Sequence, residues 1–150
     1  ASAKAGDAVM GVTIPPTAMK LRRVANLGQI IQSHALSFFH LSSPDLLFGF
    51  DADVAIRNII GVAAKYPDLA VQGVMMRKFG QEVIRATAGK KIHGTSAIPG
   101  GINKHLSPED KESFLHGDDP LNIDQMIAWS QGALDFFKGY YLKNQGFSTS

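Results

Sequence analysis

The stretch Pro16–Leu41, PTAMKLRRVANLGQIIQSHALSFFHL, decides the fold of this chain. Its apolar residues recur at steps of three and four, at Leu21, Val24, Leu27, Ile31, Ala35 and Phe38. That spacing places them in one stripe along an α-helix. Further apolar residues at Ile30, Leu36, Phe39 and Leu41 widen the stripe, as is typical of a helix packed on several sides. The stretch therefore predicts a long central helix in a mainly helical protein.

Prolines and capping residues divide the rest of the chain into further helical blocks. Proline suits the first turn of a helix, where its missing N–H is not needed. The predicted start signals are Ser43-Pro44 with Ser43 as N-cap, Asp51 or Asp53, Tyr66-Pro67, and Ser107-Pro108 with Ser107 as N-cap. The predicted interruptions are Gly89, His116-Gly117 and Pro120. We expect a single helical domain over residues 1–150, a bundle-like array of about five helices.

One segment, residues 90–106, departs from the helical pattern. It contains three glycines and one proline, with short β-like pairs at Ile92-His93 and Ala97-Ile98. Pro99-Gly100-Gly101 has the composition of a tight turn. This Gly/Pro-rich segment is predicted to be a loop or a small β-hairpin.

Composition narrows the possible functions. The chain has 150 residues, a formal net charge of +2 and no cysteine. Without cysteine it can form no disulfide, thiolate-bound zinc site or cysteine-ligated iron–sulfur cluster. The near-neutral charge does not favour nucleic acid as a partner. No apolar run approaches the roughly 20 residues that span a bilayer, so no membrane segment is expected.

The histidines are the remaining candidates for chemistry. His34 falls on the apolar seam of the first long helix, which is compatible with a core histidine or with a supporting or proton-relay group. His40 follows six residues later, and at about 100° per residue the two rings point about 120° apart. His93 and His105 flank the glycine-rich segment, where loops often carry function. None of these spacings matches a metal-ligand motif, so no catalytic residue and no metal ligand is assigned.

Two charged features favour structural roles. The run Lys20-Leu21-Arg22-Arg23 on the first long helix is predicted to be a solvated face, because nucleic-acid binding requires more charge and interleaved aromatic residues. Asp51 and Asp53 lack the pattern of a calcium loop and are predicted to cap a helix.

Several strings taken together resemble the large subunit of nickel–iron hydrogenases, and the closest resemblance is to the bidirectional, NAD-linked cytoplasmic type. The strings are Ile14-Pro15-Pro16-Thr17, the fourteen residues QSHALSFFHLSSPD from Gln32 to Asp45, Arg77-Lys78-Phe79-Gly80-Gln81, Lys91-Ile92-His93 and Pro99-Gly100-Gly101. The resemblance is strong from residue 1 to about residue 106 and weaker after it.

The resemblance implies a function for the parent protein. Such subunits split hydrogen at a nickel–iron centre held by four cysteines, and electrons leave through an iron–sulfur small subunit towards NAD. A thiolate-rich ligand set suits such a centre. This chain has none of the four cysteines and no initiating Met. We therefore expect an interior fragment that holds no cofactor and is inactive alone.

The resemblance also places three supporting residues. His34 and His40 fall in a histidine-rich core helix of the family, and His93 resembles a loop histidine near the small-subunit interface. The chain departs from the family pattern at Gly94, where many members have proline, and at Ser37, where many have histidine.

Two alternatives stay open, a non-catalytic interaction module and a diverged relative such as the quinone-site subunit of respiratory complex I. A cut fragment is also expected to expose apolar faces and to self-associate.

Overall fold

A computed structural model describes residues 2–117 and 121–143, so Ala1 and the predicted interruption at Pro120 lie outside the described residues. The described α-helices are α1 (Ser2–Val9), α2 (Pro16–Ala35), α3 (Ser43–Phe48), α4 (Ile59–Lys65), α5 (Pro67–Ala88), α6 (Pro108–His116) and α7 (Ile123–Lys143). A π-helical segment, Leu36–Ser42, joins α2 to α3. The strands are β1 (Ala97–Ile98) and β2 (Gly101–Ile102). The prediction of a mainly helical fold with a loop or small hairpin near residues 90–106 is confirmed.

The hairpin is antiparallel, with Ala97 opposite Ile102 and Ile98 opposite Gly101. Gly100 has φ 82°, which suits glycine in the tight turn. The other predicted β-like pair, Ile92-His93, is wrong, because the only strands among residues 2–117 and 121–143 are β1 and β2. His93 instead has φ 54°, outside the extended region that a strand needs.

Helices α2 and α5 cross at a point where both carry glycine. A Cβ added to Gly80 would lie 2.7 Å from the Gln32 nitrogen and 2.7 Å from the Gly28 carbonyl oxygen. A Cβ added to Gly28 would lie 2.9 Å from Cγ1 of Val83. All three distances are shorter than real Cβ contacts, so the two helices can approach this closely only because glycine has no side chain at these positions. This crossing fixes the centre of the fold.

The core extends from the crossing towards the π segment and α7. Phe39 is only 4% exposed, and a Cβ on Gly73 of α5 would come within 2.4 Å of the Phe39 Cβ. The main buried cluster consists of Ala35, Phe39, Met76, Phe79, Val83, Met126 and Ala133. The core therefore joins α2, the π segment and α5 to one face of α7.

Two predicted helix ends are confirmed in detail. The Ser107 hydroxyl accepts a hydrogen bond from the Asp110 N–H at 3.0 Å, which satisfies a free donor at the start of α6. Gly89 ends α5 in the left-handed conformation, with φ 81°, and its N–H donates to the Arg85 carbonyl oxygen.

The predicted helix start at Ser43-Pro44 is confirmed, because α3 begins at Ser43 with Pro44 in its first turn, but the predicted N-cap role of Ser43 is wrong. The chain continues from α2 through the π segment into α3, and Ser43 makes no capping bond. Its hydroxyl instead donates to the Phe39 carbonyl oxygen at 2.5 Å. Pro44 has no N–H to continue an α-helical ladder. The wider π turn before it and the Ser43 hydroxyl accommodate this loss without ending the helix.

The predicted capping role of Asp51 or Asp53 in the next helix is also wrong. Helix α4 begins later, and Asn58 caps it by accepting from the Ile60 and Gly61 N–H groups, each at 3.0 Å. The Asp53 carboxylate accepts from the Ala55 N–H within the preceding turn. The cap is therefore formed by Asn58, the polar residue directly before the apolar residues that begin α4.

The apolar stripe of α2 is not fully buried as predicted. Val24, Leu27 and Ile30 are exposed, whereas Ala18, Gly28 and Ala35 are buried. The buried face is the one with small residues, because that face lets α5 approach. Within the described residues, no helix combines the length and the apolar character that crossing a membrane requires.

Candidate functional site

A wide apolar groove lies between the end of α2, the π segment and α7. Its volume is about 930 Å³. Ile31, Phe38 and Met76 line it from one side, and Met126, Ile127 and Leu134 line it from α7. None of the described residues that line it is Asp, Glu, Lys or Arg, and His34 is the only ionisable group among these described residues. The groove can therefore hold apolar groups next to a single imidazole.

His34 is exposed at this groove and does not lie in the core. The interpretation as a core histidine is therefore wrong for the described residues. Its neighbour Ala35 faces α5 and is buried. Both residues line the groove, and His34 is the more exposed of the two.

His40 lies in the π segment and does not line the groove. Its Nδ1 atom is buried, and no residue of the described chain gives it a hydrogen bond. The two helix histidines therefore point to different environments, as the sequence spacing predicted. Within residues 2–117 and 121–143, no three His, Cys, Asp or Glu side chains come together in a way that could hold a metal ion.

His93 and His105 both have exposed side chains on the segment that follows α5. The positive φ of His93 turns the chain sharply at the point where Gly94 meets α5. A Cβ on Gly94 would lie 2.4 Å from the Ala88 Cβ, so a larger residue would push the loop away from the helix. His105 lies beside the start of α2, near Pro15 and Thr17.

An ion pair between Asp7 and Arg22 holds the hairpin against α1 and α2. Arg22 Nη1 donates to Asp7 Oδ2 at 2.6 Å, and its other nitrogens donate to the carbonyl oxygens of Ile98, at 2.7 Å, and Gly101. The Gly100 N–H donates to Asp7 Oδ1 at 2.9 Å. We call these two side chains, Asp7 and Arg22, the clamp. A two-stranded hairpin this short has little stability of its own, so the clamp sets its position.

The clamp changes the titration of both partners. The hydrogen bond from Arg22, followed by that from the Gly100 N–H, lowers the pKa of Asp7 below its usual value. The Asp7 carboxylate raises the pKa of Arg22. The two side chains are 12% and 13% exposed, so water screens the pair only in part.

A second set of ion pairs holds the other end of the same loop. Glu82 on α5 contacts Lys91 Nζ at 2.6 Å and Arg85 Nε at 2.6 Å, and Arg85 also reaches Asp110 on α6 at 3.0 Å. The hydrogen bond from Lys91, and then that from Arg85, lowers the pKa of Glu82. The loop that carries His93 is thus fixed at both ends by charged groups.

Sequence reasoning misses the clamp. The prediction of a solvated basic face is correct for the exposed Lys20 and Arg23 but wrong for Arg22 between them. The one signal for the clamp in the sequence is that Asp7 is the only acidic residue before Asp45. Nothing in the sequence shows that its partners lie 15 and 93 residues away.

Comparison with known proteins shows that the chain is related to hydrogenase subunits. It is 43% identical over 136 residues to the NAD-reducing hydrogenase HoxS subunit beta of Cupriavidus necator, in an alignment that covers 90% of this chain. It is 46% identical over 138 residues to the vhu-type F420-non-reducing hydrogenase subunit of Methanocaldococcus jannaschii, in an alignment that covers 92% of this chain. No family model matches.

A solved structure gives the same relationship in three dimensions. The crystal structure of an NAD+-reducing [NiFe]-hydrogenase in the H2-reduced state matches 98% of this chain with a TM-score of 0.86 and 45% sequence identity. The match covers 32% of the chain in that structure. The alignments cover 28% and 32% of the two hydrogenase subunits named above. The chain thus spans about a third of the length of these relatives.

Proposed function

We propose that this chain is the central helical part of the large subunit of a nickel–iron hydrogenase, an enzyme of reversible hydrogen oxidation that passes electrons towards NAD. The observation that carries the proposal is the match of 98% of the chain to an NAD+-reducing [NiFe]-hydrogenase at a TM-score of 0.86. The fourteen-residue string from Gln32 to Asp45, which forms the end of α2, the π segment and the start of α3, adds sequence support. A cytoplasmic location belongs to the same proposal.

The residues of this chain do not fit a nickel–iron centre. Such a centre requires soft thiolate ligands, and the chain contains no cysteine. The exposed His34 and the partly buried His40 lie in different environments, and the described residues contain no other cluster of ligands. The ligands must come from the rest of the longer protein, and we assign no step of hydrogen chemistry to this chain.

The proposed partner in the intact enzyme is an iron–sulfur small subunit, and the segment with His93 is the proposed contact. The imidazole is exposed, and the clamp together with the Glu82 ion pairs fixes the loop on both sides. A contact loop held in place before binding loses less conformational entropy on association. His34 and His40 are proposed as supporting residues that shape the interior of the large subunit.

Reading the coding sequence on both sides of the chain tests this function. We expect one open frame that contains a cysteine pair upstream of Ala1 and a second pair downstream of Ser150. A start codon directly before Ala1 together with a stop codon after Ser150 would contradict the proposal. An extended frame without cysteine pairs would favour the non-catalytic alternative, a helical interaction module.

A further inference from the structure

Arg77 on α5 is a partly buried cation that has no partner among the described residues. Its Nε atom is buried and takes part in no hydrogen bond with the described chain. Two other described arginines are also partly buried, and both are paired. Arg22 contacts Asp7 at 2.6 Å, and Arg57 contacts Asp45 at 3.6 Å. Each of these two arginines also donates to a backbone carbonyl oxygen. Arg77 is therefore the exception in the described part of the chain.

A second unpartnered nitrogen lies at the same helix contact. His40 in the π segment has a buried Nδ1 atom that makes no hydrogen bond with the described chain. The contact is formed where Phe39 packs over Gly73 of α5. His40 directly follows Phe39, and Arg77 lies one helical turn after Gly73 on the same face of α5. The fold thus brings both unpaired nitrogens to the contact between α5 and the π segment.

The chemistry of these two side chains defines the acceptor that is missing. A guanidinium group has only N–H donors and keeps its positive charge in proteins. A buried donor without a partner destabilises the folded state, and a buried charge needs an opposite charge beside it. The imidazole Nδ1 is also a donor in the tautomer that carries its hydrogen there. An oxyanion can accept from both groups, and the two oxygens of a carboxylate match the planar guanidinium.

The other partly buried arginines favour a carboxylate over other oxyanions, because both pair with aspartate. The described carboxylates that form ion pairs do so with other cations, namely Arg22, Arg57, Arg85 and Lys91. None of the described carboxylates pairs with Arg77. Because Arg77 as a whole is only partly buried, a carboxylate can approach its guanidinium group from solvent.

We propose that Arg77 and His40 form a binding site for a carboxylate at the contact between α5 and the π segment. Arg77 supplies the positive charge and N–H donors, and His40 donates from Nδ1. The carboxylate is either a small dissolved anion or an acidic side chain of the longer subunit. The site is built from this chain's own residues, so it goes beyond the proposed function and does not depend on it.

Chemical modification of arginine tests the site in the 150-residue chain. Phenylglyoxal reacts with guanidinium groups, and mass spectrometry of peptides gives the reaction rate at Arg77 and, as an internal control, at the exposed Arg23 of α2. The probe is sodium acetate, compared with sodium chloride at the same ionic strength. Acetate should protect Arg77 in a saturable way and leave Arg23 unprotected. Equal effects of the two salts on Arg77, or equal protection of both arginines, would overturn the proposal.

Two substitutions of His40 separate binding from folding. His40→Leu removes the donor, so half-protection of Arg77 should require about tenfold more acetate, as expected for the loss of one hydrogen bond to a charged group. His40→Asn keeps an N–H near the position of Nδ1 and should retain the protection seen in the parent chain. Circular dichroism checks that both variants are folded, and if they are not, the acetate experiment on the parent chain decides. Unchanged protection in folded His40→Leu would overturn the two-residue site.

The product of the full open frame distinguishes the two sources of the carboxylate. If the site binds a dissolved anion, acetate protects Arg77 there as it does in the shorter chain. If an acidic side chain of the longer subunit occupies the site, Arg77 reacts slowly without acetate, and acetate changes nothing further. Arg77 that reacts rapidly in the longer product and gains no protection from acetate would overturn the proposal. Failure of the hydrogenase assignment would leave the test on the shorter chain unaffected.

Discussion

The crossing of α2 with α5 and the groove between α2 and α7 are built from opposite kinds of residue. At the crossing, Gly28 and Gly80 allow backbones to touch, and the contact is closed within this chain. At the groove, large side chains such as Ile127 and Leu134 stand exposed around about 930 Å³ of open space. The difference shows that the size of the residues distinguishes a helix contact that is complete within this chain from a surface that is left exposed. Small residues mark the contact made inside the chain, and large apolar residues line the groove that the described residues leave open.

The largest expected effect of a substitution concerns Phe39, a buried residue that packs over Gly73 of α5. Phe39→Ala removes a ring that is 4% exposed and packed over Gly73, and should lower the free energy of unfolding by about 3–5 kcal/mol. Leu134→Ala at the open groove should cost less than about 1 kcal/mol in the 150-residue chain. Urea denaturation of both variants measures the difference. Equal losses would show that the two regions are packed alike.

The second prediction concerns the helix crossing. Gly80→Ala places a methyl group against the backbone of α2, and should destabilise the protein by about 1–3 kcal/mol through overpacking. Urea denaturation again measures the loss. If the variant is as stable as the parent protein, then the backbones are not in contact.

A matched glycine on α7 should respond in the opposite direction. A Cβ on Gly132 meets nothing within 4 Å, so Gly132→Ala should stabilise α7 by about 0.5–1 kcal/mol through helix propensity alone. The same denaturation curves measure this gain in the 150-residue chain. A clear loss of stability there would mean that the outer face of α7 is already packed.

The smallest expected effect is local and depends on pH. Because the pKa of Asp7 is lowered in the folded protein, its stabilisation is complete above the usual carboxyl pKa and is lost as pH falls through the lowered value. The protection of the Gly100 amide, whose N–H donates to Asp7, relative to the intrinsic exchange rate at the same pH should therefore fall only in acid. Asp7→Asn should make that amide exchange quickly at neutral pH too, while amides of the α2–α5 crossing stay protected. Fast exchange confined to the crossing would contradict the role of the clamp.

Much of the local structure can be predicted from the sequence, because the residues that form a cap or a stop are close together in the chain. Ser107 caps one helix and Gly89 terminates another through bonds to residues three or four positions away. Ser43 is the exception, because α3 does begin there but the Ser43 hydroxyl donates to the Phe39 carbonyl oxygen and does not cap the helix.

The long-range part cannot be predicted in the same way. Glycines at a helix crossing give no hydrophobic signal, so the pattern favours burial of Val24 and Leu27 while the buried residue is Gly28. The clamp joins residues that the sequence separates by up to 93 positions. The apolar neighbours of His34 favour a core position, although the groove leaves its side chain exposed. Local spacing does not distinguish these cases, because tertiary packing decides them.

Metal content tests the central claim most directly. The 150-residue chain and the product of the full open frame are expressed in nickel-supplemented cells under the same reducing conditions, and nickel per polypeptide is measured by mass spectrometry. The account predicts stoichiometric nickel in the longer product and only trace nickel in the 150-residue chain. Stoichiometric nickel, or hydrogen turnover, in the 150-residue chain itself would contradict the account.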